Sequence, residues 1–384
     1  MTFDVAVVGS GPAGTTAALE LARRGLKVVI LERERLPRYK TCGGGLVRRG
    51  LDLFPPEVQR VVERHHAAAE VHLPDEDLHF FTTRRSAPVV GMAMRDRLDF
   101  LLASCAAAAG ADLRAPCRVT GVSDENHHIR LDTDAGPVTA AFVVAADGAM
   151  SAVARKAGWR DGRHLIPALE HELQVDDATL ERFARAPRFD VGIVPHGYAW
   201  VFPKAAHLSV GVLSMRRGAA NLHAALDRYL GVLGISPRAA DRHGFVIPVR
   251  PRAGPLAQQR VMLVGDAAGL ADPVTAEGIS LAALSGRHAA AAIAQGDLHA
   301  PRVCARYHAA LRPLLDELRV AHRFARLLYD YPRVQRWLFR RFGQRLVDAM
   351  TEVFLGARTY RGSVAELVTA LARRPFGRAA TTRS

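Results

Sequence analysis

The residues Gly9-Ser10-Gly11-Pro12-Ala13-Gly14 set three glycines at the spacing G-x-G-x-x-G, and Glu32 stands eighteen residues beyond the last of them. The chemistry this spacing serves is phosphate and ribose binding. Gly9 permits a tight turn, Gly11 lets the backbone approach a pyrophosphate, and Gly14 allows close helix–strand packing. A helix that starts there offers free N–H groups to phosphate oxygens, and Glu32 can accept hydrogen bonds from ribose hydroxyls. The flanking elements suit the task. Residues 4–8 form a valine-rich run expected of a buried parallel strand, a helical stretch continues to about Arg24, and Gly25 stops it. Residues 27–31 read as the second strand of a βαβ unit that ends on Glu32. A dinucleotide site follows, and FAD and NAD both remain open at this point.

Two later segments bear on that choice. Residues 141–144 form an apolar strand that leads into Asp147-Gly148 with Arg155 beyond, and residues 260–264 lead into Gly265-Asp266. These resemble the D-G and G-D motifs of flavoproteins with the p-hydroxybenzoate hydroxylase type of fold, which implies FAD. After Asp272-Pro273 comes Val274-Thr275-Ala276-Glu277-Gly278-Ile279, followed by an alanine- and leucine-rich helix to about Ala294. The N-terminus of that helix is expected to face the N1/C2=O edge of the flavin. A helix dipole there stabilises the anionic reduced ring by roughly 0.3–2 kcal/mol.

Lys40-Thr41-Cys42-Gly43-Gly44-Gly45-Leu46, Tyr198-Ala199-Trp200-Val201-Phe202-Pro203-Lys204 and the 273–279 segment together resemble the geranylgeranyl reductase family. Its members are FAD enzymes that saturate isoprenoid double bonds. Arg95 and Asp99 match the family's R…D helix, whose arginine approaches FAD. The resemblance covers about residues 3–300. It implies an α/β and α+β architecture, with a Rossmann-like FAD-binding domain interleaved with an antiparallel-sheet substrate domain and followed by C-terminal helices. The expected FAD domain takes residues 1–72, 91–160 and 250–300. The substrate domain takes 73–90 and 161–249, where 70–94 and 167–213 alternate like antiparallel strands. The helical region takes 301–384.

The resemblance also assigns roles. The expected cofactor contacts are Gly9, Gly11, Pro12, Ala13, Gly14, Glu32, Arg33, Cys42, Gly43, Gly44, Arg95, Val119, Asp147, Gly148, Gly265, Asp266, Gly278 and Ile279. Cys42 and Tyr198 are the expected catalytic residues, and Trp200 and Phe202 the expected substrate contacts. One position departs from the family pattern P-x-T-G-E-G-I, because Ala276 replaces its first glycine. If the turn needs positive φ there, alanine costs stability.

Chemistry sets a further requirement. A trisubstituted alkene is electron-rich, so a proton must reach it before or together with a hydride from reduced flavin. A general acid within roughly 2.6–3.2 Å, or a bridging water, is needed. Cys42, Tyr198 or a water can serve. No second βαβ nucleotide unit is visible, so NAD(P)H or another external reductant must meet the flavin transiently. The rival reading is an aromatic monooxygenase of the same fold. A halogenase is disfavoured, since Trp159, Trp200 and Trp337 supply no W-x-W-x-I-P segment.

Composition narrows the class. The 384 residues are 49% hydrophobic and 23% charged, as in a globular protein rather than a disordered one. No apolar run approaches the roughly 20 residues of a spanning helix, and the N-terminus lacks a signal peptide's basic region. A cytoplasmic protein is expected, with possible contact at a membrane surface. Lys plus Arg minus Asp plus Glu is 52 − 38 = +14. From Tyr331 onward eleven Arg against three acids contribute +8 of it, so the excess sits in the tail. Aromatic residues are 7% with no stacking platform in that tail, which speaks against nucleic acid. Val334, Leu338, Phe342 and Leu346 recur there at i+4 among arginines, forming a basic amphipathic helix. It suits either an anionic membrane surface or closure of the substrate domain with snorkelling arginines. The four cysteines form no C-x-x-C pair, and no metal site is expected. The pairs His65-His66 and His127-His128 are expected to be solvated.

Overall fold

The structure is a computed structural model, and it describes residues 2–83, 85–160, 162 and 164–372, with backbone only from 367 onward. Its first sheet is built around five parallel strands. The valine-rich strand Thr2–Val8 lies between Val28–Leu31 and Val138–Ala145, with Asp112–Arg114 beyond the former and Val261–Leu263 beyond the latter. All four residues of the Val28–Leu31 strand and the end of Val138–Ala145 are buried, as expected of strands covered on both faces. Helices Pro12–Ala22, Arg95–Ala108 and Ile279–Gln295 pack around this sheet and against one another.

The second sheet has seven strands, drawn from 70–81 and 165–248. Its order runs Ala239–Pro248, Leu165–Gln174, Leu208–Ser214, Gly197–Pro203, Arg188–Val191, Glu70–Leu73, Leu78–Phe81. It is antiparallel except for one pair, Arg188–Val191 with Glu70–Leu73, which is parallel. A wholly antiparallel substrate sheet was expected; the long excursion between residues 73 and 188 lets the chain re-enter in the same direction. One face of this sheet carries helices Asp177–Phe183 and Leu222–Leu233 over an aliphatic core. The other face looks toward the first domain. A short third sheet joins Gly45–Val47, Val90–Ala93 and Val62–His66 between the two.

His66 corrects an expectation. It lies on the last of these strands opposite Val90 and is 5% exposed, because strand pairing turns it inward. Burial pushes its pKa down.

The chain ends in helices Ala300–Asp330, Pro332–Leu355 and Tyr360–Ala372. The periodic apolar face of Pro332–Leu355 is turned inward. Leu338, Phe339, Phe342 and Val347 are buried, and Gly343 lies against the ring of Phe80 on the sheet's edge strand. Arg336 and Arg340 reach Glu76 at the sheet's end. The arginines at 373–383 lie outside the described residues. No helix among the described residues is long and apolar enough to cross a membrane.

Candidate active site

The first turn has the geometry its glycines allow. Gly9 sits at φ +103°, and a Cβ there would fall 2.4 Å from the Ala146 carbonyl oxygen. The Pro12–Ala22 helix begins at Gly11, and no side chain caps its first N–H groups. Those donors are therefore free for phosphate oxygens. Gly265, at the Gly-Asp turn, packs against Ala13 of the same helix.

Glu32 is 3% exposed and fixed from several sides. Its Oε2 accepts from the Ser10 N–H at 2.9 Å and the Ser10 hydroxyl at 2.6 Å. Burial opposes its ionisation, yet the Arg38 guanidinium and the Ser10 hydrogen bonds prevail and hold its carboxyl below the usual range. Arg38 also meets Asp99 at 2.9 Å, and Asp99 takes two hydrogen bonds from Arg95 at 2.9 and 2.8 Å. Alternating charges thus run from Glu32 through Arg38 and Asp99 to Arg95, whose fork-like pairing fixes its orientation.

Arg95 opens onto a cavity of about 200 Å³ between the two large sheets. Pro12, Cys42, Gly43, Gly44, Asp266, Gly278 and Ile279 line it from the first domain, and Tyr198, Trp200 and Phe202 from the second. Strand periodicity explains the second group. Alternate residues of Gly197–Pro203 face opposite sides, so Ala199 and Val201 enter the aliphatic core while the three aromatics face the cavity. The rings form a wall, with centroids 6.2 Å apart for Tyr198–Trp200 and 6.1 Å for Trp200–Phe202. The buried Trp200 Nε1 has no hydrogen-bond partner.

The glycine loop faces this wall. Gly44 sits at φ +67°, and a Cβ there would fall 2.0 Å from the Ala93 carbonyl oxygen. Cys42 Sγ accepts from the Gly44 N–H at 3.4 Å and is hydrogen-bonded with the Arg95 guanidinium. The Tyr198 hydroxyl donates to the Thr275 carbonyl oxygen, and burial raises its pKa well above the ordinary tyrosine range. A tyrosine so placed holds its proton.

The remaining wall is the turn before the Ile279–Gln295 helix. Asp272 Oδ1 accepts from the N–H groups of Val274 and Thr275 at 2.8 and 3.1 Å, and its Oδ2 accepts from the Tyr360 hydroxyl at 2.8 Å. Ala276 adopts φ +56°, the left-handed conformation the family pattern fills with glycine. Glu277 accepts from the Ser280 N–H at 2.7 Å and pairs with Arg49 at 3.0 Å, so its charge beside the helix start is offset.

The residues present fit a flavin dinucleotide. Uncapped N–H groups await a pyrophosphate, a fixed carboxylate awaits a ribose, and an orphaned indole N–H lies against Gly43 in the wall of a cavity that Pro12 and Asp266 also border. The comparisons agree. A family model described as an FAD binding domain matches residues 2–296. The digeranylgeranylglycerophospholipid reductase of Thermoplasma acidophilum is 32% identical over 75% of this chain and 77% of its own. The chain belongs to the geranylgeranyl reductase family of FAD-dependent oxidoreductases. A crystal structure of a geranylgeranyl bacteriochlorophyll reductase-like protein, also from Thermoplasma acidophilum, superposes with a TM-score of 0.77 at 27% identity, covering 96% of this chain and 99% of that one. A flavin-dependent brominase superposes with a TM-score of 0.75 at 20% identity, covering 96% of this chain and 100% of that one, which shows the shared fold alone.

Within this family member some expected contacts lie apart from the cavity. The Arg33 side chain is 62% exposed and pairs with Glu34. Val119 starts the strand Val119–Asp124 and packs on the first domain's core. The Asp147 carboxylate accepts from the Ser151 hydroxyl at 2.5 Å and the Val153 N–H at 3.0 Å, fastening the short Ala152–Lys156 helix after the Gly148 turn. Conversely, the structure adds residues that motif reading passed over. Lys204 closes the aromatic motif, but its fully buried ammonium and its partners appear only in three dimensions. Glu170 lines the cavity from an alternating strand whose polar side read as either solvated or pocket-facing, with no residue singled out. Lys40 lines it too, with its ammonium 3.7 Å from the Phe245 ring centroid.

Proposed function

We propose that this oxidoreductase saturates carbon–carbon double bonds of an isoprenoid, with electrons reaching its FAD from NAD(P)H or another external reductant. The shape of the site carries this reading. Beyond the aromatic wall lies a second cleft of about 100 Å³ between the substrate sheet and the C-terminal helices. Ala69, Phe189, Tyr198, Thr275 and Phe354 border both spaces. The cleft is then walled by Val191, Phe324, Leu328, Phe339, Val347 and Met350. An elongated, branched hydrocarbon matches such a lining, because each methylene taken from water contributes about 0.8 kcal/mol.

Reduced FAD, when bound, supplies the hydride. The chain does the rest. Gly11, Gly43 and Gly44 allow backbone to lie close to the cofactor, and Arg95 is held rigidly beside it by Asp99. Tyr198, Trp200 and Phe202 exclude water and hold an alkene within the apolar space. The reading is tested by incubating the dithionite-reduced protein with geranylgeranyl diphosphate without oxygen and weighing the product by mass spectrometry. Mass gains of two hydrogens per reduced bond are expected, and unaltered prenyl chains contradict the assignment.

We further propose that the junction of the last long helices touches a membrane surface while lipid substrate is exchanged. Leu327, Tyr331 and Trp337 are 39%, 52% and 49% exposed around that junction, with Arg326, Arg333 and Arg341 beside them in sequence. Interfacial aromatics and arginines suit anionic headgroups. Flotation with vesicles containing phosphatidylglycerol is expected to fall for the Tyr331→Ser, Trp337→Ser double variant. Equal flotation of both proteins removes the role.

A further inference from the structure

The cavity-facing side of the substrate sheet holds two buried carboxyl groups that nothing above employs. Along Leu165–Gln174, Leu169 and Leu173 enter the aliphatic core while Glu170 faces the cavity. Glu170 is 2% exposed and Glu172 is 5% exposed. Strand register puts Glu170 opposite Gly211, which in turn lies opposite Trp200. On its other side Glu170 lies opposite His243. Glu170 is therefore in the same transverse row as the aromatic wall. Gly211 has no side chain, and the Trp200 indole occupies the space over it, 2.1 Å from where a Cβ would lie.

The surrounding groups connect this carboxyl to the outside. Glu170 and Glu172 hydrogen-bond to each other. The Tyr39 hydroxyl donates to Glu170 Oε1 at 3.2 Å and Glu172 Oε1 at 3.4 Å, and its ring, stacked on His243, is 39% exposed. Glu172 Oε2 meets His207 Nε2 at 3.0 Å, and the His207 side chain is 14% exposed. The buried Lys204 ammonium lies near both carboxyls, and Lys40 lines the cavity from the loop side. Burial first, and the charge of Glu172 second, push the Glu170 carboxyl up to about 8. Burial also acts on Glu172, but His207 and the hydrogen bond from Glu170 overcome it and hold this carboxyl low. Of the two, Glu170 is the carboxyl whose protonated form is favoured, and it is also the one that lines the cavity.

We propose that Glu170 is the proton donor of the reduction, resupplied from solvent through Glu172 and His207. The proposal rests on the alkene-reductase reading above. The Glu170 O–H bond breaks and a C–H bond forms at one alkene carbon. The adjacent carbon receives a hydride from reduced FAD, so the alkene gains two hydrogens and the flavin loses two electrons. The Glu170 carboxylate then regains a proton from water by way of His207 and Glu172. The external two-electron reductant restores the flavin. Cys42 and Tyr198 are released from acid duty, consistent with the tyrosine hydroxyl being held by Thr275.

The test compares the FAD-loaded wild-type protein with Glu170→Gln and Glu172→Gln. Infrared difference spectra are taken across neutral to alkaline pH. Anaerobic single turnovers use dithionite-reduced protein and geranylgeranyl diphosphate. The wild type is expected to show a protonated-carboxyl band that fades as pH rises through about 8, and Glu170→Gln to lack it. Glu170→Gln is expected to lose about 10²-fold or more in alkene reduction while binding FAD and accepting electrons normally. Glu172→Gln removes a like charge and the relay carboxylate, so its activity should begin to fall at lower pH than the wild type's and its repeated turnovers should slow relative to its first. A carboxyl band unchanged in Glu170→Gln, or unimpaired turnover by that variant, overturns the donor role alone. A wild-type protein that leaves the prenyl chain unreduced overturns the alkene-reductase reading, and the donor role with it.

Discussion

The Lys204 ammonium donates to the carbonyl oxygen of Gly43 at 2.6 Å, joining the end of a substrate-sheet strand to the glycine loop 161 positions earlier. A second bond at 3.3 Å reaches the Ala93 carbonyl oxygen, and no part of the lysine is exposed. Burial lowers its pKa, opposed first by the charge of Glu172. Lys204→Met keeps the volume but strands two carbonyl groups and a carboxylate. Each unsatisfied buried group costs roughly 1–3 kcal/mol. The variant should unfold at lower denaturant and release FAD more readily. Unchanged denaturation and cofactor retention would show that the loop is held by other contacts.

Ala276 offers the opposite experiment. At φ +56° its Cβ strains the turn, and left-handed geometry costs an L-residue roughly 1–2 kcal/mol. Ala276→Gly removes the strain but gains unfolded-state freedom, so a net stabilisation of about 1 kcal/mol is expected. Urea titration should show a higher midpoint at constant slope. A lower midpoint would mean that the methyl group's apolar packing outweighs the strain.

Tyr360 couples the C-terminal region to the same turn through the Asp272 carboxylate. Burial raises the Asp272 pKa, while Arg49 and the Tyr360 hydroxyl act against that rise. Tyr360→Phe deletes one of those stabilisers, and hydrogen bonds to charged groups contribute roughly 1.5–3 kcal/mol. The variant's folded-state Asp272 pKa should climb further above its unfolded value. Ionising that carboxyl in the fold then costs more, so stability should fall more than in the wild type as pH rises from the unfolded pKa toward the raised folded one. Thermal unfolding at two pH values checks this, and equal losses at both would contradict it.

Cys42 lines the cavity and bonds to Arg95, but it is not the proton source in this account. Cys42→Ala should lower alkene reduction about tenfold, or ~1.4 kcal/mol of transition-state stabilisation, by loosening the arginine and the loop. FAD should remain bound. A loss matching that of Glu170→Gln would return the acid role to the thiol.

The cofactor half of this site was legible because glycine spacing, strand composition and helix stops report local backbone needs. Gly9, Gly14 and Gly265 and the helix start at Ile279 are of that kind. Arg33 and Val119 lie apart from the cavity, a placement that a neighbouring motif does not determine. The Pro332–Leu355 helix showed its apolar face in sequence, with closure of the substrate domain as one of two readings, but Phe80 as the residue it meets was not visible. Glu170 and Glu172 were hidden for a related reason. Alternation on a strand separates two faces without telling which one meets another domain. The polar face here looks onto the cavity, and only the docking of the two sheets makes those carboxyls buried.

Anaerobic single turnover tests the central claim most directly. Protein reduced to the two-electron level is mixed with geranylgeranyl diphosphate in the absence of oxygen, and the flavin absorbance is followed. The account predicts reoxidation that requires the prenyl chain and matches the number of bonds saturated. Flavin that stays reduced until air is admitted, and then yields peroxide or a hydroxylated product, would place this chain among oxygen-activating flavoenzymes and contradict the account.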